Sequence, residues 1–432
     1  MHCHRLSLNC GQRGSFLRGA LLTMTLTASL WLGCAPAGAS EASAELVRQH
    51  LYLGTLAAGE AELAAKVAAD AGDREARFGL GLLRFTRAVE HLGQSLYRYG
   101  LTPPRTFSIP ILRFPVPPNP RPETITYRAL RDVLKAFDDD LAAADTTLQG
   151  LGDGEVTVVL DLARIRLDLR GDGKPTDDET LAFILTSLSQ RPGAQVAPLG
   201  SLEVKFDAGD APWFAGYSHV LMGLCDFLLA HDFQSTFDAG SHLFFAKSGA
   251  PAAAALSRPL PAGSVGLGFP DTAVFADLIA LIHTLEWPVV EPDRMGSARQ
   301  HLKAMIALSR KSWTLILAET GDDREWLPNP RQTHVALGQR VRQEQIDAWM
   351  AALDEAEAIL DGRVLVPHWR FARGIDLKRF FEAPQTFDLV MFVTGAGAVP
   401  YLGDGPITSA QRWTEITRAF EDNFLGYALW FN

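Results

Sequence analysis

Apolar residues recur at steps of three and four positions through most of the chain beyond residue 40, which is the period of an amphipathic helix. This pattern predicts helices over residues 45–71, 74–99, 124–148, 156–167, 177–188, 211–230, 272–287, 292–320, 343–360 and 409–420. Short apolar runs at 364–369 and 389–393 predict two strands. We therefore predict a mostly α fold, a multi-helix globular array with at most a few short strands.

Two segments interrupt the helical pattern. Eight prolines between residues 102 and 122 exclude both a helix and a central strand, and the apolar residues among them predict an extended segment packed on the helices. Residues 248–270 are rich in Ala, Gly, Pro and Ser, which is typical of a long loop. The predicted organisation is a helical region at 41–247, this loop, and a helical region at 271–432 packed with the first.

The N-terminal residues have the three parts of a secretory signal peptide. Three arginines without an acid precede an apolar run at 20–32, which is too short to span about 30 Å of hydrocarbon. Cleavage after Ala39 would remove residues 1–39. Gly33-Cys34 instead resembles the end of a bacterial lipobox, with Trp31 where that motif prefers Leu. The sequence thus predicts an exported protein, either periplasmic or anchored in the cell envelope by a lipid on Cys34.

Composition narrows the choice of partners. The chain has 432 residues, a formal net charge of -10 and 47% hydrophobic residues. An acidic surface repels phosphates, so we expect no nucleic acid partner, and membrane contact only through a lipid at Cys34. Beyond the signal and Cys34, Cys225 remains, in the apolar run 220–230; we expect a buried structural thiol.

The most specific chemical motif lies between residues 168 and 179, which read DLRGDGKPTDDE. Acids at the first, fifth and twelfth places and Gly173 at the sixth resemble the calcium loops of the EF-hand and dockerin families. The resemblance covers these twelve residues; beyond them the chain resembles secreted bacterial proteins in general. It implies a weak calcium site, with side-chain oxygens from three acids, a backbone carbonyl and a bridging water, provided by Asp168, Asp172, Glu179, Lys174 and Thr176.

Two residues depart from the calcium pattern, and they leave a second interpretation open. Arg170 stands at the third place, where these families have Asp or Asn, and Pro175 stands at the eighth. Thr176 and Glu179 also form the sequence signature of a capping box at the start of a helix. A Glu179 that binds calcium through both oxygens cannot also close that box.

A second candidate site is His283-x-x-Glu286, which the pattern places on the helix predicted over 272–287. A spacing of three brings both side chains to one helix face, as in helical metal sites, and His301 or Glu319 are candidate third ligands. This pair defines the alternative function, a metal-dependent hydrolase.

The chain otherwise lacks a catalytic signature. We therefore predict an exported, non-enzymatic binding or scaffold protein of the cell envelope with one weak structural calcium site. Its partner would be a protein or, through the tryptophans of the C-terminal half, a glycan.

Overall fold

The computed structural model of the chain describes residues 37–102, 114–152, 154–189, 200–256, 272–421 and 423–432. Helices dominate these residues, and the strands among them are short and pair in small antiparallel ladders. The predicted mostly α fold is confirmed. The predicted signal peptide up to residue 36, with Cys34, lies outside the described residues, as do much of the proline-rich segment and of the loop at 248–270.

The described part of the chain begins with three helices, and the single helix predicted over 45–71 is wrong. The observed helices are α1 Ala37–Leu53, α2 Leu56–Ala69 and α3 Arg74–Arg98. The break between the first two is at Gly54, whose φ of +66° is a backbone conformation that side chains with a Cβ rarely adopt. A Cβ on Gly54 would also lie 2.5 Å from Cγ of Pro175, so this turn is packed against the loop at 168–179.

The next helix, α4 (Tyr127–Gln149), agrees with the prediction, whereas the helix predicted over 156–167 is wrong. Residues Thr157–Asp161 form strand β1, which pairs antiparallel with strand β2 (Glu203–Asp207). β1 reads TVVLD, and its side chains alternate between buried and more exposed positions, as the faces of a strand require. A short helix, α5 (Leu181–Ser189), follows the 168–179 loop.

The centre of the fold is the contact between α6 (Asp210–Ala230) and α10 (Pro292–Ala318), and α4 also packs against α6. Between α6 and α10 lie α7 (Gln234–Gly240), α8 (Ala253–Leu256), α9 (Thr272–His283) and the two-residue strand β3 (Glu286–Trp287). Among the described helices, α6 has the length and apolar composition of a membrane span, and 61% of its most apolar window is buried inside the fold.

The C-terminal part consists of short elements around α11 (Gln343–Leu360). They are β4 Gly374–Ile375, α12 Leu377–Glu382, β5 Phe387–Asp388, α13 Leu389–Thr394, β6 Leu402–Gly403, α14 Ala410–Thr417 and α15 Phe424–Phe431. The strand predicted at 389–393 is wrong, because Asp388 caps a helix there by accepting the Met391 N–H at 2.8 Å. The strand predicted at 364–369 is reduced to single bridges at Leu365 and Val366.

One hydrophobic core joins the two helical regions. It extends from Ala44 on α1 to Phe431 on α15 without interruption. Trp313 of α10 is fully buried at its centre, 4.7 Å between ring centroids from Phe431. The site residues on different helices are therefore held in one packed body.

The close packing of α3 against α1 leads to a first prediction. A Cβ on Gly79 would lie 2.1 Å from Cγ2 of Val47, a stiff β-branched side chain on α1. We expect Gly79→Ala to lower the free energy of unfolding by about 1–3 kcal/mol through overpacking. Gly296→Ala on α10, where nothing lies within 4 Å, should instead raise it by up to about 1 kcal/mol. Urea unfolding measures both, and equal stability of Gly79→Ala and the wild type would contradict the packing.

Candidate functional site

The loop from Asp168 to Glu179 is built around the Arg170 guanidinium group. This group donates to Glu179, to the Thr176 hydroxyl at 2.6 Å and to Asp178 at 2.8 Å. The buried Glu179 carboxylate also accepts the backbone N–H groups of Arg170 at 3.0 Å and of Thr176 at 2.8 Å. The bond from the Thr176 N–H confirms the capping box, and a positive charge already neutralises Glu179.

The two other acids predicted as calcium ligands also have partners within the loop. Asp168 accepts the N–H groups of Asp172 at 3.1 Å and Gly173 at 2.7 Å, and Asp172 accepts that of Lys174 at 2.9 Å. Gly173 has φ +74°, the sharp turn that the calcium pattern expects at this place. Calcium binding by this loop stays a prediction, and it requires Glu179 to exchange Arg170 for the ion.

His283 and Glu286 do not share a helix face. Helix α9 ends at His283, and Glu286 lies in β3, where it pairs with Asp388 of β5. The predicted helix over 272–287 is therefore too long, because the backbone after His283 leaves the helix to enter this ladder. Both side chains are exposed, and the two candidate third ligands, His301 and Glu319, have other partners.

A different set of polar side chains meets inside the bundle of α4, α6 and α10. Each helix contributes two residues seven positions apart, which is two helical turns and hence one face. We call this set the polar seam; it consists of Asp138 and Asp145 on α4, His219 and Asp226 on α6, and Arg294 and His301 on α10. At these contacts α6 runs antiparallel to α4 and α10. The six side chains therefore meet in two layers along the bundle.

The first layer of the polar seam is a histidine pair between two carboxylates. Nδ1 of His219 lies 2.7 Å from Nδ1 of His301. Nε2 of His219 is 3.4 Å from Oδ1 of Asp145, and Nε2 of His301 is 3.5 Å from Oδ2 of Asp226. A carboxylate next to each Nε2 favours the tautomer with the proton on that atom. Each Nδ1 atom then has a free lone pair, and the two Nδ1 atoms face each other.

In the second layer, the positive charge of Arg294 lies between the carboxylates of Asp138 and Asp226. Arg294 donates to Asp226 at 2.5 Å and to Asp138 at 3.4 Å. Burial and the Asp226 carboxylate raise the pKa of Asp138. Burial, together with Asp138 and Asp226, raises the pKa of the neighbouring Cys225 to about 12, so this thiol is protonated at neutral pH. The predicted buried structural thiol is confirmed.

A cavity of about 270 Å³ lies beside His219. His219 lines it together with Gln149, Lys311 and small or apolar residues of α6 and α10. His301 packs against Gly223, where a Cβ would lie 3.4 Å from that of His301. Two imidazole nitrogens at this distance, one of them on a ring that lines a cavity, are groups that can hold a transition-metal ion with free coordination positions.

Three carboxylates form a second polar group at the end of β2. The ligand oxygens of Asp207, Glu319 and Glu325 lie within 4.8 Å of one another, the one such group of three or more His, Cys, Asp or Glu among the described residues. Burial and Asp207 raise the pKa of Glu319 to about 8, and burial also raises that of Asp210. Lys205 is 3.5 Å from Glu325. Protons and one lysine thus balance these acids.

The sequence pattern suggests His301 and Glu319 only as further ligands beside His283 and Glu286. It does not indicate that His219 meets His301. The signal was present as three pairs with a spacing of seven residues, but their partners lie up to 156 residues apart in the chain. The chain matches no protein-family model, no curated protein and no solved structure.

The loop at 168–179 makes a second prediction. Arg170→Gln leaves the buried Glu179 without its cation, so we expect a loss of about 3 kcal/mol in the free energy of unfolding. Arg166→Gln is the control, because its partner Asp177 is exposed, and it should lose less than about 1 kcal/mol.

Both loop variants are measured by chemical unfolding with millimolar calcium and with chelator. A wild type that gains stability with calcium, and an Arg170→Gln variant as stable as Arg166→Gln, would together favour the ion over the arginine as the centre of the loop.

A third prediction concerns Glu319 and pH. Its proton stays bound in the folded state up to about pH 8, whereas the unfolded chain releases it near the ordinary value of 4.5. The folded state therefore binds more protons between these values, and stability should fall as pH rises through them. In Glu319→Gln, the decrease in Tm over this pH range should be smaller than in the wild type by a few degrees. Glu344→Gln, on the exposed face of α11, is the control and should show the wild-type decrease. Thermal melts from pH 4.5 to 8.5 measure it, and parallel curves for wild type and Glu319→Gln would contradict it.

Proposed function

We propose that the protein binds a divalent transition-metal ion between His219 and His301. The observation that carries this proposal is the meeting of two Nδ1 atoms at 2.7 Å, each on a ring whose Nε2 faces a carboxylate. Metal-binding histidines typically donate their second ring N–H to a carboxylate, which fixes the tautomer and increases the basicity of the ligand nitrogen. Asp145 and Asp226 are placed for this role.

The two Nδ1 atoms lie close enough for one ion to contact both. An ion between them would hold both lone pairs, which otherwise repel each other. For tetrahedral zinc, bonds of about 2.0–2.1 Å put the two nitrogens about 3.3 Å apart, so the rings must separate by a few tenths of an ångström. His301 has room for this, because its side chain is 23% exposed.

The cavity that His219 lines would give an external ligand access to an ion held there. Two protein ligands leave at least two positions for water or an external ligand, which distinguishes this site from a closed structural one. Gln149 and Lys311 on the cavity wall can hydrogen-bond such a ligand. Imidazole nitrogen favours zinc, copper or nickel over calcium and magnesium, which prefer oxygen.

The proposal keeps the binding role predicted from the sequence and adds a second ion. We also propose that the protein is exported to the cell envelope and that the loop at 168–179 binds calcium. A hydrolase centred on His283 and Glu286 has weaker support, because both side chains are exposed and His301 and Glu319 are engaged elsewhere.

Metal titration makes the fourth prediction. Zinc(II) or copper(II) added to chelator-treated protein should bind with one ion per chain in calorimetry. His219→Gln and His301→Gln should each abolish this binding, and Asp145→Asn should weaken it by about 10–100-fold. His334→Gln is the control, since His334 is exposed and far from the seam in sequence. Affinity should fall at lower pH, because protons compete for the same nitrogens.

Folding of each variant is checked by circular dichroism without metal, which separates loss of the site from loss of the fold. Wild-type affinity no higher than that of the His219→Gln and His301→Gln double variant would overturn the proposal.

A further inference from the structure

Helix α9 carries its one acid on its inner side and several aliphatic side chains on its outer side. Its one acid, Asp277, points inward, where its carboxylate lies 3.4 Å from Nε2 of the buried His242. Leu278, Ile279 and Ile282 on the other face are 44–56% exposed. A surface helix of a water-soluble domain has the opposite arrangement, so this face is suited to contact with an apolar medium.

Helix α13 continues this exposed apolar surface. The ladder between β3 and β5 joins the end of α9 to the start of α13, where the Leu389 N–H donates to the Leu285 carbonyl at 3.0 Å. Val390, Met391 and Val393 of α13 are 39–54% exposed. We call the exposed residues of α9 and α13 the apolar face.

A tryptophan and an arginine border the apolar face. The Trp369 side chain is 77% exposed, and its indole N–H donates to the Val393 carbonyl at 2.9 Å. The Arg370 guanidinium group lies over this indole, 5.5 Å from the ring centroid, and donates to the Thr394 carbonyl. Within the part of the chain that the structure describes, Arg370 has no carboxylate at ion-pair distance, whereas its neighbour Arg373 pairs with Asp404.

We propose that the apolar face docks on a phospholipid bilayer. Its aliphatic side chains would enter the boundary between headgroups and acyl chains, which is how interfacial helices bind. Trp369 lies where an amphipathic ring favours the membrane interface, and Arg370 is available for a lipid phosphate. The exposed aliphatic side chains thus have a rim suited to headgroups.

The charge distribution favours a bilayer over a second copy of the chain. The protein has a net charge of -10, which disfavours the association of two copies. Arg370 at the rim, which has no ion-pair partner among the described residues, is a cation that complements a phosphate. The same net charge opposes binding to anionic lipid, so we expect docking on zwitterionic membranes.

The test uses the full chain with Cys34→Ser, so that a lipid on Cys34 cannot cause membrane binding. Vesicles of phosphatidylethanolamine and phosphatidylcholine should carry the protein in flotation. Ile279→Gln with Val390→Gln should lower the partition coefficient about tenfold or more, because two apolar side chains no longer leave water. Leu425→Gln with Leu53→Gln is the control, since these side chains are 72% and 56% exposed elsewhere, and it should bind as before.

Trp369 gives a second readout. Brominated lipids should quench part of the tryptophan fluorescence in the Cys34→Ser chain, and Trp369→Phe should remove that part. Equal loss of flotation in the Leu425 and Leu53 control, or no flotation at all, would overturn the proposal. Dimers in analytical ultracentrifugation that disappear with Ile279→Gln would assign the face to a second copy and also overturn it.

Discussion

The burial of charge between α6 and its two neighbours sets the main constraint on this fold. Ionised side chains leave water at a large cost in free energy unless they meet opposite charges or hydrogen-bond partners. In the polar seam, each residue meets a partner on another helix, and the seven-residue spacing aligns both layers at once. A shift of α6 by one turn against α10 would separate both pairs. The seam therefore fixes the register of an otherwise apolar contact, which hydrophobic packing alone specifies loosely.

The long helices could be predicted from the sequence, because α4, α6, α10 and α11 each contain several turns of apolar periodicity. Short segments could not. The runs at 157–161 and 389–394 contain few residues, and a brief apolar run fits a strand as well as a helix turn. Pairing with β2 decides the first, and the cap by Asp388 decides the second. Both depend on residues outside the run itself.

The candidate sites show the same limit. The motif at 168–179 was visible because its residues are contiguous, and its capping box followed from Thr176 and Glu179 alone. That Arg170 would turn inward onto Glu179 depends on how the loop closes over α3, where Gln94 and Glu90 hold the Asp168 backbone. The histidine pair required knowledge of which helices are neighbours, which spacing within one helix does not contain.

The contact between Gly54 and Pro175 links the first turn of the fold to the loop at 168–179. Gly54 leaves no space for a Cβ because the ring of Pro175 fills it. The φ of +66° at Gly54 also disfavours any Cβ, so glycine should persist at this position among related chains. The eighth place of the loop, where calcium-binding loops have an aliphatic residue, should then keep a side chain that packs on this glycine. The shape of the N-terminal turn would then limit which loops evolution can place there.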